Sequence, residues 1–158
     1  MGNFQAKFLL TSKIFRFFIP RDNVWAKRIL LVFMFILFDY VATVIFCVSP
    51  SDEGNIMARV FMENYGIAPG LALFDFIINL PVYLLLSFSS HLIILPSKWN
   101  KIANSLTDFI LALFVANPHF EGGISWIPAI REFPGTVIGA AIYIILAAVY
   151  IDYKIFKS

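Results

Sequence analysis

The chain has 158 residues, of which 60% are hydrophobic, 17% aromatic and 14% charged. Soluble domains carry about 45–50% apolar and about 25% charged residues, and a single small core cannot hide such an apolar excess. The net charge of +2 and the lack of a run of alternating basic and aromatic residues argue against a nucleic-acid-binding protein. The composition therefore predicts an integral membrane protein.

Residues 1–27 form a basic arm in which five cationic side chains are interspersed, at irregular spacing, among phenylalanine and other apolar residues. Pro20 ends any helix that precedes it. The pattern predicts an amphipathic interfacial helix on an anionic membrane surface. A solvated basic flank that only fixes the orientation of the protein is the alternative interpretation.

Four apolar segments follow the arm, and we predict that each crosses the bilayer as a helix. They cover residues 28–48, 67–95, about 102–117 and 136–151. About 20 helical residues cross a hydrocarbon core of about 30 Å, so the third and fourth segments are short. Pro81 breaks the second segment, which also carries His91. Gly139 and the two alanines after it let another helix approach the fourth segment closely.

Two long connections join the members of each pair of spans. Residues 49–66 contain a predicted interfacial helix at 56–65, which Asn55 or Asp52 caps. Residues 119–135 are predicted to form a loop. Of the twelve basic residues, ten lie in the arm, in the turn between the second and third spans, or at the C-terminus. Because basic loops stay in the cytoplasm, we expect both termini there, in a multi-pass cell-membrane protein.

The two halves of the chain share a short pattern. Asp39-Tyr40 aligns with Asp108-Phe109, and Pro-x-x-Glu-Gly occurs at both 50–54 and 118–122. A duplicated hairpin explains this match. It places Asp39 and Asp108 at the same depth, and the two Glu-Gly pairs at the same height.

The predicted fold is therefore an all-α bundle of four transmembrane helices in one domain. Residues 28–95 form the first hairpin and 96–158 the second. Both hairpins run in the same orientation, related by a pseudo-twofold axis along the membrane normal. Residues 1–27 add the interfacial helix.

Polar residues in or beside the spans are the candidates for a binding site. Asp39 lies near mid-membrane, where an unpaired carboxylate costs several kcal/mol, and Thr43 follows one turn later on the same face. Asp75 and Asn79 also share a face. The predicted ligand- or ion-binding residues are Asp39, Thr43, Glu53, Asn55, Asp75, Asn79 and Asp108. Their alternative role is polar contact between helices, worth about 0.6 kcal/mol each.

Asp39 needs a further partner, because a carboxylate accepts more hydrogen bonds than the Thr43 hydroxyl donates. We expect a second donor or a cation from another helix, with Asn79 and the turn at Asn55 as candidates.

In the outer connections, His119 and Glu121 can bind a metal ion together with Glu53. Capping of turns is the alternative role for these residues. No nucleophile elbow, phosphate loop or dinucleotide fingerprint occurs in the sequence, and Ser125 has no evident base. The residues imply no particular cofactor. A single cysteine, Cys47, excludes an internal disulfide.

Asp39-x3-Thr43, followed by Glu53-x-Asn55 and an apolar span, resembles a family of small prokaryotic membrane proteins of unknown function. The pattern of that family is an Asp-x3-Thr helix, a Glu-x-Asn-Pro loop and a following helix. The resemblance covers about residues 30–90, and Ile56 stands where the family has proline. It implies a fold and a site but no reaction.

A second resemblance involves Asp75-x3-Asn79-x-Pro81. This pattern is similar to the Glu-x3-Gln-x-Pro helix of the emopamil-binding and sigma-2 receptor family. Those proteins have four spans and bind sterols or amines. In this chain both polar side chains are one methylene shorter.

Three functions are compatible with these residues. The favoured one is binding or translocation of a small cation, a proton or an amphipathic ligand at an intramembrane acidic pocket. The second is a non-catalytic subunit of a larger membrane complex. The third is a membrane-embedded enzyme that acts on a lipid-like substrate through Glu53, His119 and Glu121. Four short spans enclose little space, so we expect a homo-oligomer or a larger complex in the lipid bilayer.

Overall fold

The computed structural model describes residues 15–94 and 96–151, of which 82% are helical and none is in a strand. These residues form six α-helices: α1 Asn23–Phe46, α2 Ile56–Tyr65, α3 Ile67–Leu92, α4 Ser97–Leu111, α5 Asn117–Ser125 and α6 Gly135–Tyr150. A π-helical turn, Ala112–Ala116, joins α4 to α5. The predicted all-α class is confirmed. Residues 1–14 of the predicted interfacial helix lie outside the described residues.

Local signals in the sequence determine where the first helices begin. The Asp22 side chain caps α1 by accepting hydrogen bonds from two backbone N–H groups in its first turn. Asn55 caps α2 in the same way, as predicted. Between α2 and α3 the chain turns at Gly66 with φ of 88°, a conformation that glycine adopts at little cost. The third helix then continues through Pro81, so the predicted break there is wrong.

α1 and α3 form an antiparallel pair. Near the end of α1, the Tyr40 hydroxyl donates a hydrogen bond to the Ala68 carbonyl at the start of α3. Further back along α1, the Phe33 ring contacts Tyr83, with 6.4 Å between ring centroids. The short helix α2 packs against α3 at the end of the bundle where α1 finishes.

The other helices complete an up-down-up-down bundle around α1. The π turn and the helices on either side of it run parallel to α1, because Arg28 pairs with Asp108 and Asp39 pairs with His119. In contrast, α6 is antiparallel to α1, and its fully buried Tyr143 packs on Phe35 at 5.7 Å between ring centroids.

Small residues bring α5 and α6 together. A methyl group added to Gly139 would come within 2.8 Å of the Phe120 side chain, so the two helices are close at this point. This confirms the close approach that was predicted at Gly139. Ala112 and Ala116 of the π turn are both fully buried against the same core.

A buried ion pair joins Arg28 and Asp108. The Arg28 guanidinium is fully buried and makes two hydrogen bonds to the carboxylate, Nε to Oδ1 at 2.6 Å and Nη2 to Oδ2 at 3.0 Å. It also lies over the Trp25 ring, 4.9 Å from the centroid. Asp108 is thus committed to an ion pair near the start of α1.

This pairing corrects the predicted depth of Asp108. Asp39 lies 11 residues after Arg28, which is about 16 Å along a helix. Since α1 and α4 are parallel, Asp108 lies about that distance from Asp39 along the bundle. The expectation of equal depth was therefore wrong.

The predicted loop at 119–135 is also wrong in its first part, because α5 is helical to Ser125. A proline has no N–H to donate within a helix, and the π turn comes directly before Pro118. There the Asn117 N–H bonds to the Ala112 carbonyl, five residues back. Glu121-Gly122 is consequently helical, whereas Glu53-Gly54 lies between helical segments. The superposition of the two hairpins stays a prediction.

Replacing Asp108 tests the buried ion pair. We expect Asp108→Asn to lower the free energy of unfolding by about 3–5 kcal/mol, because it leaves a buried guanidinium without its counter-charge. Thermal unfolding of the purified protein in a neutral detergent measures the effect. Glu63→Gln is the matched control, since Glu63 is exposed on α2. Equal melting temperatures for the two variants would contradict the burial of this pair.

The contact between α2 and α3 has its own test. A methyl group at Gly70 would collide with the backbone carbonyl of Phe61, whereas one at Gly54 would have no atom within 4 Å. We expect Gly70→Ala to destabilise the protein by about 1–3 kcal/mol through overpacking and Gly54→Ala to have little effect. The unfolding midpoints of the two variants are compared with that of the wild type. An unchanged midpoint for Gly70→Ala would contradict the close packing of α2 on α3.

Candidate functional site

A cavity of about 530 Å³ opens where α1 ends, α3 begins and α5 crosses them. Five of the residues predicted from the sequence to bind a ligand or ion line this cavity: Asp39, Thr43, Glu53, Asn55 and Asp75. Two further predicted residues, Asn79 and Asp108, do not. The tertiary structure therefore brings together groups from α1, from the following connection and from α3.

Four carboxylates face this cavity, and the described residues that line it include no lysine or arginine. The carboxylates belong to Asp39, Asp52, Glu53 and Asp75. Like charges that share a site disfavour one another's ionised forms. A cation in the cavity, or a shared proton, relieves this repulsion.

Asp39 forms a hydrogen bond across the bundle with His119 of α5. The distance from His119 Nδ1 to Asp39 Oδ2 is 2.8 Å, and the two side chains are 20% and 24% exposed. An ionised carboxylate only accepts hydrogen bonds, so Nδ1 carries the proton, and in the neutral form of the ring Nε2 keeps its lone pair. The predicted donor from another helix is confirmed, but it is His119 and neither Asn79 nor Asn55.

Two glycines of α5 make this contact sterically possible. A methyl group at Gly122 would come within 2.7 Å of Asp39 Oδ1, and one at Gly123 would collide with the Phe38 ring. Gly122 lies one turn after His119, on the same face of the helix. The Gly-Gly pair thus lets α5 approach α1 closely enough for the imidazole to reach the carboxylate.

Hydroxyl and aromatic groups complete the cavity wall. Thr43 is almost fully buried and lies one turn after Asp39, as predicted. Five other polar or aromatic lining residues were not predicted to bind a ligand: Tyr40, Asp52, Phe74, Ser125 and Trp126. Ser125 donates a hydrogen bond to the Gly122 carbonyl of its own helix at 2.6 Å. No motif in the sequence marked these five residues as binding residues.

The connection between α1 and α2 is held by the side chains that face the cavity. Asp52 accepts a hydrogen bond from the Ser49 N–H at 2.9 Å. The Glu53 carboxylate accepts one from the Asn55 N–H at 2.8 Å, and its own backbone carbonyl accepts one from Arg59. The capping role predicted as an alternative is therefore present, and the same residues line the cavity.

The remaining predicted residues have other surroundings. Asn79 is buried and donates to the backbone carbonyl of Asp75 at 3.0 Å. Glu121 is exposed on α5 and does not line the cavity. Within residues 15–94 and 96–151, no three His, Cys, Asp or Glu side chains form a group that could hold a metal ion.

The chain matches no protein-family model, no curated protein and no solved structure. The resemblance seen at Asp39-x3-Thr43 and Glu53-x-Asn55 therefore depends on those residues alone, as does the one seen at Asp75-x3-Asn79-x-Pro81. The geometry of the cavity carries the functional interpretation.

Proposed function

We propose that this is an integral membrane protein that binds a small amphipathic organic cation in its acidic cavity. The observation that carries the proposal is that four acidic residues from three segments of the chain line one cavity, with no lysine or arginine among the described lining residues. The volume of about 530 Å³ lies within the range of small-molecule sites, about 300–1,000 Å³.

The surface of the bundle supports a place in the membrane. By length and composition two helices, α1 and α3, are able to cross a bilayer, with mean hydropathies of 2.6 and 2.0. Five large apolar side chains are exposed along one face of α1: Leu30, Met34, Leu37, Val41 and Ile45. Apolar patches of this extent are rare on soluble monomers, whereas lipid chains cover them without cost.

In the proposed topology α1, α3, the continuous α4–α5 segment and α6 all cross the membrane. At 16 residues α6 is about 24 Å long, and thinning of the bilayer accommodates a short span. The end at which α1 begins carries most of the basic residues that the structure describes, so in this topology it faces the cytoplasm. The acidic cavity then opens toward the outer surface.

Aromatic and apolar residues favour an organic cation over a bare metal ion. The rings of Tyr40, Phe74 and Trp126 line the cavity together with Leu71. The face of an aromatic ring attracts an ammonium group by about 0.5–2 kcal/mol, and Leu71 offers contact to a short alkyl chain. A cavity of this volume is also far larger than a single ion.

The Asp39–His119 pair has a defined part in this proposal. By accepting from Nδ1, Asp39 is oriented and retains a second carboxylate oxygen for an ammonium donor. In the neutral imidazole, the Nε2 lone pair of His119 is a second acceptor. Both groups are acceptors toward the cavity, and this suits a ligand that carries N–H donors.

Replacement of the acids tests the proposed site. We expect butylammonium or hexylammonium to raise the melting temperature of the protein in neutral detergent, since a ligand at 100 times its Kd stabilises by about 2.7 kcal/mol. Asp39→Asn and Asp75→Asn should retain the fold and lose at least about tenfold in affinity. Butyl sulfate, with a similar chain and the opposite charge, should not bind.

Glu63→Gln is the control for these variants, because it removes one exposed carboxylate outside the cavity. Its ammonium affinity should equal that of the wild type. Tighter binding of butyl sulfate, or full ammonium affinity in both Asp39→Asn and Asp75→Asn, would refute the cation site.

Surface labelling tests the topology. In intact cells, an impermeant thiol reagent should label a cysteine placed at Glu63 in a Cys47→Ser background, because α2 lies at the outer end of the bundle. A tag at the C-terminus should be protected until the membrane is permeabilised. Labelling of the tag in sealed cells would overturn the orientation.

A second candidate function, an enzyme acting on a lipid-like ester, is favoured by one observation. The hydrogen bond that His119 Nδ1 donates to Asp39 orients the ring so that Nε2 of the neutral imidazole can accept a proton from water, as in general-base catalysis. Hydrolysis of a short-chain ester by the wild-type protein, and its loss in the His119→Gln variant, would distinguish this function from simple binding. The predicted non-catalytic subunit and the predicted oligomer stay predictions.

A further inference from the structure

We propose a second binding site, for the phosphate group of an anionic membrane lipid, where the N-terminal strap crosses the end of α3. The strap is defined here as residues 15–22. It lies at the opposite end of the bundle from the acidic cavity and shares no lining residue with it. The proposal therefore does not depend on the cation site.

The strap is fixed to α3 by hydrogen bonds from side chains of that helix. The fully buried Ser87 donates to the Phe17 carbonyl at 2.8 Å. One turn earlier, the Tyr83 hydroxyl donates to the Phe18 carbonyl at 2.6 Å. Two consecutive carbonyls of the strap are thus held against one face of α3.

Two further contacts hold the second half of the strap. His91 Nε2 is 2.8 Å from the Ile19 carbonyl, and since a carbonyl only accepts, Nε2 is the donor. The backbone N–H of Arg21 donates a hydrogen bond to the buried Ser90 hydroxyl at 2.9 Å. The backbone on both sides of Pro20 is therefore positioned, and the two arginines of the strap project from a fixed support.

A cavity of about 260 Å³ lies beside this support, lined by Arg16, Ile19, Pro20, Arg21 and His91. No carboxylate occurs among these described lining residues. Arg21 touches Asp22 at 3.3 Å, but both side chains are about 40% exposed, and exposed pairs of this kind contribute little. Two guanidinium groups beside one cavity favour a phosphate, which arginine binds through paired N–H donors.

The surroundings of the two arginines point to a lipid as the source of the phosphate. Phe15 and Ile19 are 63% and 66% exposed, and Phe18 is 40% exposed. A phosphate in solution gains nothing from these apolar groups, whereas the acyl chains of a phospholipid cover them. Basic residues beside aromatic ones at the end of a membrane helix match the headgroup region of an anionic leaflet.

The test uses the full-length protein in a neutral detergent, with added dioleoyl phosphatidylglycerol or dioleoyl phosphatidylcholine. Retained lipid is measured by native mass spectrometry, and stability by the melting temperature. We expect phosphatidylglycerol to be retained and to raise the melting temperature, with at least about tenfold higher affinity than phosphatidylcholine. The double variant Arg16→Gln/Arg21→Gln should lose this preference.

Two control variants distinguish binding at this site from a general effect of positive charge and from an effect on folding. Arg131→Gln removes an exposed cation from the connection before α6, and it should keep the full preference for phosphatidylglycerol. Tyr83→Phe removes one tether of the strap without changing the charge, and it should weaken the preference by a few-fold. If the double variant does not fold, the comparison of the two lipids on the wild-type protein still tests the proposed preference for an anionic lipid.

Three results would overturn the proposal. They are equal retention of the two lipids by the wild-type protein, an equal loss of preference in Arg131→Gln and in the double variant, and stabilisation by glycerol 3-phosphate as strong as that by the lipid. The last result would identify a site for a soluble phosphate.

Discussion

The bundle depends on two polar cross-links between α1 and the parallel α4–α5 segment. Arg28 pairs with Asp108 and Asp39 pairs with His119, and the partners are separated by 80 positions in both cases. The two cross-links are 11 residues apart in each segment, and in α1 this is close to three full turns, so Arg28 and Asp39 lie on one face. A shift of either segment along the other would leave the buried Arg28 without its counter-charge and Asp39 without its hydrogen-bond donor. This requirement sets the register of the two segments, and the cavity at the end of α1 follows from it.

The two cross-links differ in what remains available for a ligand. Arg28 is fully buried and uses its charge on Asp108, so this pair serves the fold. Asp39 and His119 are partly exposed to a cavity, and in the proposed function this pair contacts the ligand. In that proposal a polar contact between the same two segments stabilises the fold at one end of α1 and binds the ligand at the other. Burial decides which role each pair takes.

Charge is separated along the axis of the bundle. Carboxylates gather around the cavity where α1 ends, and arginines gather on the strap where α1 begins. In the proposed topology this polarity matches the membrane, with cations toward the anionic inner leaflet and an acidic site toward the outside. In that topology the polar residues at the two ends lie at the two membrane surfaces, and the apolar faces between them contact lipid.

Composition and periodicity predicted the helical class, the approximate bounds of α1, α3 and α6, and the cap at Asn55, because these depend on local chemistry and on apolar runs. An acid inside an apolar helix also marked Asp39, since the cost of burying its charge requires a partner. The sequence did not identify that partner as His119. The two side chains meet because a π turn allows the helix to continue past Pro118, and because Gly122 has no side chain that would collide with Asp39. Asp108 carries the same local pattern as Asp39, yet the parallel packing of α4 gives it to Arg28. Sequence by itself determined that Asp39 needs a partner; only the tertiary structure decided which partner it receives and showed that Arg28 and Asp108 form a second pair, because the register between distant helices is set by packing and by the pairing of polar side chains.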